Sequence, residues 1–386
     1  MSLLMKRVLC FQTWLSAFAK PRLAVFAAMF GVAVCALDLP PAHAKQEPSR
    51  NMRLTAFNPH RSSFSCTHEA SKVPPIDSQA QAWFEEGMAL SSYGVYYEDR
   101  DIPKAVALWQ KAAERKHWKA MLNLASIYAR GDGEGPFHVK RDTERAVLLT
   151  EDAMRLGIPA AFDLMGTLHA EGRGVKASVD RAWAFWQLAA DMGNPDAMAH
   201  IGSVSAASYD DTRRGRWANR KIALQMLGCG MAQGNGKAAF ELGVKLNGND
   251  PELDKDYAKA LQALHAAVKF GHQPAAEYLF GSFDDGDGLV DHRVDKARAQ
   301  RYNALSDALL RNPDLRFPNL DRILPLPPAE LPRWDGDTKS LVQAAIGVRP
   351  APAHSACGRS FMPAGDLTSK VGFLDDPSGH TGGRFL

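Results

Sequence analysis

The chain has 386 residues, 46% of them hydrophobic, enough to bury a sizeable core. Four of the 46 Lys and Arg and one of the 43 Asp and Glu lie in residues 1–44, so the formal charge of +3 sits at that end and 42 of each sign remain. A balanced remainder argues against a nucleic-acid partner, and none is expected.

Lys6, Arg7, Lys20 and Arg22 precede an apolar run from Leu23 to Leu37, which Pro40-Pro41 breaks before Ala42-His43-Ala44. That order predicts a secretory signal peptide over 1–44, cleaved after Ala44, and so a periplasmic protein. The alternative is an uncleaved anchor, although about 15 apolar residues fall short of the roughly 20 that span a bilayer. The signal sequence is then the only expected contact with a membrane. Cys10 and Cys35 leave with it, and Cys66, Cys229 and Cys357 remain. Cys229 falls in a repeat helix and is expected as a buried inert thiol. Cys66 and Cys357 flank the repeats and form the candidate disulfide of an oxidising compartment.

Residues 45–78 are polar and without period, an irregular lead-in that ends near Pro74-Pro75. From 79 to 313 a frame of small residues recurs, beginning at Ala105, Ala146, Ala182, Ala223 and Ala260. Position +15 is always Ala (Ala120, Ala161, Ala197, Ala238, Ala275), and position +11 is Lys116 and then Gly157, Gly193, Gly234 and Gly271. A repeat of this length built on small side chains predicts an all-α fold, an α/α solenoid with two helices per unit. Gly at +11 stops one helix in the left-handed region, and Pro159, Pro195 or Pro274 starts the next. Joints this short make the helices antiparallel neighbours. The frame at Ala297 is degraded, as a terminal capping unit is. Residues 314–386 form a Pro-rich C-terminal segment whose stretch 315–335 carries enough Leu, Ile and Phe to pack along the array.

No catalytic motif stands out: there is no G-x-S-x-G, H-E-x-x-H or P-loop. His138-Val139-Lys140 lacks the Asp at 145 that a phospholipase D motif requires. The acidic turn Asp284–Gly288 has Leu289 where a calcium loop needs an oxygen ligand. Cys66, His68 and Glu69 form too small a fragment for a metal site. No enzyme activity, metal or cofactor is expected. The distance from the +15 Ala to the next frame start is 26, 21, 26, 22 and 22 residues, so two units carry basic inserts at matching places. These supply the candidate partner-binding residues: Lys140 and Arg141 in one, Arg213, Arg214, Arg216 and Trp217 in the other.

The unit AFDLMGTLHAEGRGV…DRAWAFWQLAADMGNPDA, residues 161–197, resembles the Sel1-like repeat family, a relative of the tetratricopeptide repeat. The resemblance spans about six units and implies an α/α superhelix that binds other proteins. The segments Ser65–Glu69 and Phe317–Gly336 in addition resemble immunity proteins paired with phospholipase-type toxins of type VI secretion. That resemblance implies a cognate lipase or phospholipase effector as partner. A general envelope adaptor on the same scaffold is the alternative.

Overall fold

The computed structural model describes residues 47–131, 138–248 and 255–347. The expected signal sequence, Cys357 and the tail beyond 347 lie outside these residues. The repeat helices pair as α1 (Ser78–Leu90) with α2 (Ile102–Glu114) and α3 (Trp118–Arg130) with α4 (Thr143–Arg155). The next pairs are α5 (Pro159–Glu171) with α6 (Val179–Met192) and α7 (Pro195–Ser205) with α8 (Arg220–Ala232). The last are α9 (Gly236–Asn247) with α10 (Tyr257–Lys269) and α11 (Gln273–Asp285) with α12 (Lys296–Arg311). Two short helices follow, α13 (Leu320–Ile323) and α14 (Thr338–Ile346). The fold is an all-α solenoid.

The frame explains the joints. Gly157, Gly193, Gly234 and Gly271 have φ of 77°, 111°, 84° and 85°, and Lys116 takes the same left-handed place at 60°. One residue later, His117, Asn194 and Asn235 cap the next helix by accepting from the N–H of the frame's +15 Ala. Second helices begin on Asp101, Asp142, Ser178, Asp256 or Asp295, each accepting from a backbone N–H three residues on.

Packing within four of the pairs rests on one small residue opposite one large one. A methyl group added to Gly87, Gly166, Gly202 or Gly243 would lie 2.5–2.8 Å from Trp109, Trp186, Leu227 or Leu264 respectively. The large residue is always the frame's +4 position, and its neighbour on the first helix has no side chain to displace it. In the α3–α4 pair, where +4 is the smaller Thr150, the matching first-helix residue is Ala125. The core divides into one buried cluster over α1–α8 and another over α9–α14.

One element departs from the helical reading. The insert between α7 and α8 forms a two-stranded antiparallel hairpin, β1 (Ala206–Asp211) and β2 (Arg216–Ala218), joined by a 3-10 turn over Thr212–Arg214. The Pro-rich stretch packs along the array as its composition predicts. Phe317 is fully buried, and the Arg301 guanidinium donates to Ile323 O and Pro332 O.

Replacing Gly166 by Ala should destabilise the fold by about 1–3 kcal/mol, because the Trp186 ring must move. Gly228→Ala on α8, where an added methyl meets nothing within 4 Å, should be neutral or stabilise by about 0.5 kcal/mol. Denaturant midpoints of the two variants check the contrast.

Candidate partner-binding surface

The lead-in is a strap that crosses the second helices. Arg50 N donates to Glu151 Oε1 on α4 at 2.8 Å, and the Arg50 guanidinium binds both Glu144 and Glu151. The chain then runs along α6 from its start to its end. The Arg181 guanidinium donates to Met52 O, and Gln187 accepts from Asn58 N at 2.8 Å. Asp191 pairs with Arg61 at 2.6 Å. Phe57 drops into an aromatic cluster, stacked on Trp183 with centroids 5.0 Å apart and edge-on to Trp217 at 4.9 Å. Extended backbone has no internal hydrogen bonds, so these side chains satisfy it.

A disulfide fastens the strap: Cys66 bonds Cys229 on α8, across 163 residues of sequence. This corrects two expectations, that Cys66 pairs with Cys357 and that Cys229 is an inert thiol. The array folds α8 beneath the strap, a juxtaposition that no spacing in the sequence reports. His68 also lies close, with one ligand atom from each of Cys66, His68 and Cys229 within 4.8 Å of the others. Both sulfurs are spent on each other, so the trio does not offer thiolates to a metal.

Past the disulfide, Glu69 enters the interior. Its Oε1 accepts from Ala160 N at 2.9 Å and Asn194 Nδ2 at 3.2 Å. The close approach needs Gly193, since an added methyl there would lie 2.9 Å from Glu69 N. Glu69 joins Asp163 on α5 and Asp196 on α7 in an acidic cluster that sequence reasoning missed. Burial pushes the Glu69 carboxyl up to about 7, and the Asp196 charge adds to it against the two hydrogen bonds. Asp163 is pushed up to about 8 by burial, with Asp196 and Glu69 adding.

The predicted partner-binding residues divide. Lys140 and Arg141 are exposed on the loop into α4, and Arg213, Arg214 and Arg216 are exposed on the hairpin. Trp217 is only 9% exposed, because Phe57 and Trp183 enclose it. It holds the hairpin to the strap and presents no ring to a partner. Asp211 caps the hairpin's turn and faces Arg214 at 3.7 Å, while Asp210 pairs with His60 of the strap at 3.1 Å.

This architecture is that of a Sel1-repeat protein. Models of the Sel1 repeat match residues 87–117, 118–157, 163–194 and 236–262. A model described as a domain of unknown function, DUF6396, matches residues 280–372. Among solved structures, Pseudomonas aeruginosa 5086 (PA5086) is 30% identical over 69% of this chain and 96% of that one, with a TM-score of 0.55. Immunity protein Pa5087 from Pseudomonas aeruginosa is 30% identical over 69% of this chain and 95% of its own, at 0.54. Immunity protein PA5088 from the same organism is 29% identical over the same shares, at 0.55. The chain belongs to the family of Sel1-repeat proteins that includes PA5086 and Pa5087.

Cys66→Ser should lower stability by about 3–5 kcal/mol, since the bond closes a long loop. It should also open the strap to trypsin at Arg53 and Arg61, read by limited proteolysis against the oxidised protein. A further expectation concerns pH. A carboxyl whose folded pKa is raised binds its proton more tightly when folded, so its contribution is full at low pH and is lost as pH rises through about 7. Glu69→Gln should therefore match the parent's melting temperature at pH 4, below the ordinary value of 4.5, and exceed it at pH 8.5. On the acid side burial holds His117 and His265 at about 4, so stability should fall as pH drops from 6.5 toward 4.

Proposed function

We infer that this protein is a periplasmic immunity protein, which binds a phospholipase-type toxin of type VI secretion and blocks it by protein–protein contact. The observation that carries the reading is the likeness to immunity protein Pa5087, which extends over 95% of that chain and 69% of this one. The physical character of the molecule supports it. The strap and the C-terminal segment brace the repeats at both ends, so little ordering entropy is lost when a partner docks. A disulfide between Cys66 and Cys229 suits an oxidising compartment, as the signal sequence also requires. Two basic inserts on matching edges add long-range attraction toward an acidic surface, which raises association rates and sharpens partner choice.

The test is co-expression. A phospholipase-class toxin, sought among the genes adjoining that of this chain, is directed to the periplasm of a host, with and without this protein. Protection should require the intact signal sequence, and a version lacking residues 1–44 should leave the host unprotected. Lysis that proceeds equally with the exported protein present overturns the reading.

A further inference from the structure

The extended lead-in lies across α4 and α6, and the same frame position accepts from its backbone in both, whereas α8, with Gly228 at that place, holds it through Asn219 and Gln233. Five residues after the frame Ala, Glu151 of α4 accepts from Arg50 N at 2.8 Å, and Gln187 of α6 accepts from Asn58 N at 2.8 Å. The equivalent residue of α10 is His265, whose Nε2 meets Asp321 of the C-terminal segment at 3.1 Å. Four residues further on the pattern repeats, with Asp191 holding Arg61 and Lys269 holding Asp321. The outward faces of α4 and α6 are thus a track for extended polypeptide, and the +5 side chain of each grips its backbone.

The first second-helix of the array, α2, has the same equipment. Its +5 residue is Gln110, which donates to the Tyr128 hydroxyl at 2.7 Å and borders a cleft of about 750 Å³. That volume is in the range of ligand pockets. Pro103, Val106 and Ala107 form the apolar wall on α2, and the loop from Val139 to Asp142 forms the opposite side.

The charge of this cleft is one-sided. Its two acids are committed, Asp142 as the N-cap that accepts from Arg145 N and Glu144 as a partner of Arg50. The Arg145 guanidinium lies over the Tyr128 ring at 4.5 Å. Lys140 and Arg141 are exposed at the rim and form no ion pair among the described residues. Uncommitted cations beside an apolar wall and a backbone-gripping amide suit an extended segment bearing carboxylates.

We propose that the cleft between α2 and the 139–142 loop docks an extended acidic segment of the partner toxin. The segment lies across α2 as residues 50–61 lie across α4 and α6. Gln110 turns from Tyr128 to pair with its backbone, Val106 and Ala107 take an apolar side chain, and Lys140 and Arg141 take carboxylates. This rests on the immunity reading and adds to it the docking surface and the chemistry of the docked segment.

The test uses the mature chain from Lys45 and the toxin of the co-expression assay. Lys140→Glu with Arg141→Glu should weaken toxin binding by at least about tenfold, mainly through a slower association rate, and flatten its salt dependence. The melting temperature should not change. In a Cys357→Ser background, Ala107→Cys reports occupancy directly: maleimide should label the introduced thiol in the free protein and should be blocked once toxin is added. If the double variant binds toxin as the parent does, the docking inference fails while the immunity reading stands. The same holds if only a variant reversing Arg213, Arg214 and Arg216 loses affinity. Should the introduced thiol resist labelling before toxin is added, this chain's own residues fill the cleft and the proposal is wrong. Failure of the parent to bind toxin removes the immunity reading, and the docking inference with it.

Discussion

Helix approach distance governs this molecule. In four of its helix pairs a glycine on the first helix lies against a Trp or Leu on the second, so near that one methyl group would not fit. This contact sets how deeply each pair interlocks, and thereby which faces of the second helices turn inward. The +4 residue goes into the pair, and in α4 and α6 the +5 residue beside it is left facing the lead-in. That outward row then becomes available to whatever crosses the array. In this protein the crossing segments come from its own two ends.

Those segments are extended, and extended chain cannot satisfy its own backbone. It is stable here because polar side chains of the second helices meet it: Glu151, Gln187 and Gln233 along the lead-in, and His265 against the C-terminal segment. Apolar anchors add to this at Phe57 and Phe317. Around His265 the logic is fully worked out. With Nε2–H donating to the Asp321 carboxylate, the neutral ring accepts from the buried Tyr302 hydroxyl through Nδ1. Burial keeps that ring neutral despite the adjacent carboxylate. The Cys66–Cys229 bond then makes the strap's position independent of any single contact.

The acidic cluster shows how the strap alters the interior. Asp163 and Asp196 belong to first helices, and Glu69 arrives from the lead-in to join them. Three carboxyls in one buried region cannot all ionise cheaply, which is why their proton affinities rise. Lys119, Lys237 and Arg316 lie near enough to oppose the rise, each from a different part of the chain. None of this is visible in a linear reading, because three whole helix pairs, α1–α6, lie between Glu69 and Asp196.

Local regularity made the array legible. Gly157 and its counterparts must adopt left-handed backbone, capping residues must precede the +15 Ala, and small residues must face large ones; each requirement acts within a few residues or one helix pair. For the same reason the two inserts could be located, and their basic side chains are exposed where the repeat spacing breaks. What lay beyond reach were the contacts made across repeats. Trp217 looked like an exposed hot-spot residue beside three arginines, yet it is covered by Phe57 from 160 residues earlier. By position Cys66 had Cys357 as its candidate partner, and the seating of the strap over α8 joins it to Cys229 instead. The sequence alone determined the helices, their joints and their pairing, since these are short-range consequences of backbone and side-chain size. The tertiary structure decided where the two ends of the chain lie and which outward face remains open, because an irregular segment's path is set by the surface it finds once the repeats have stacked.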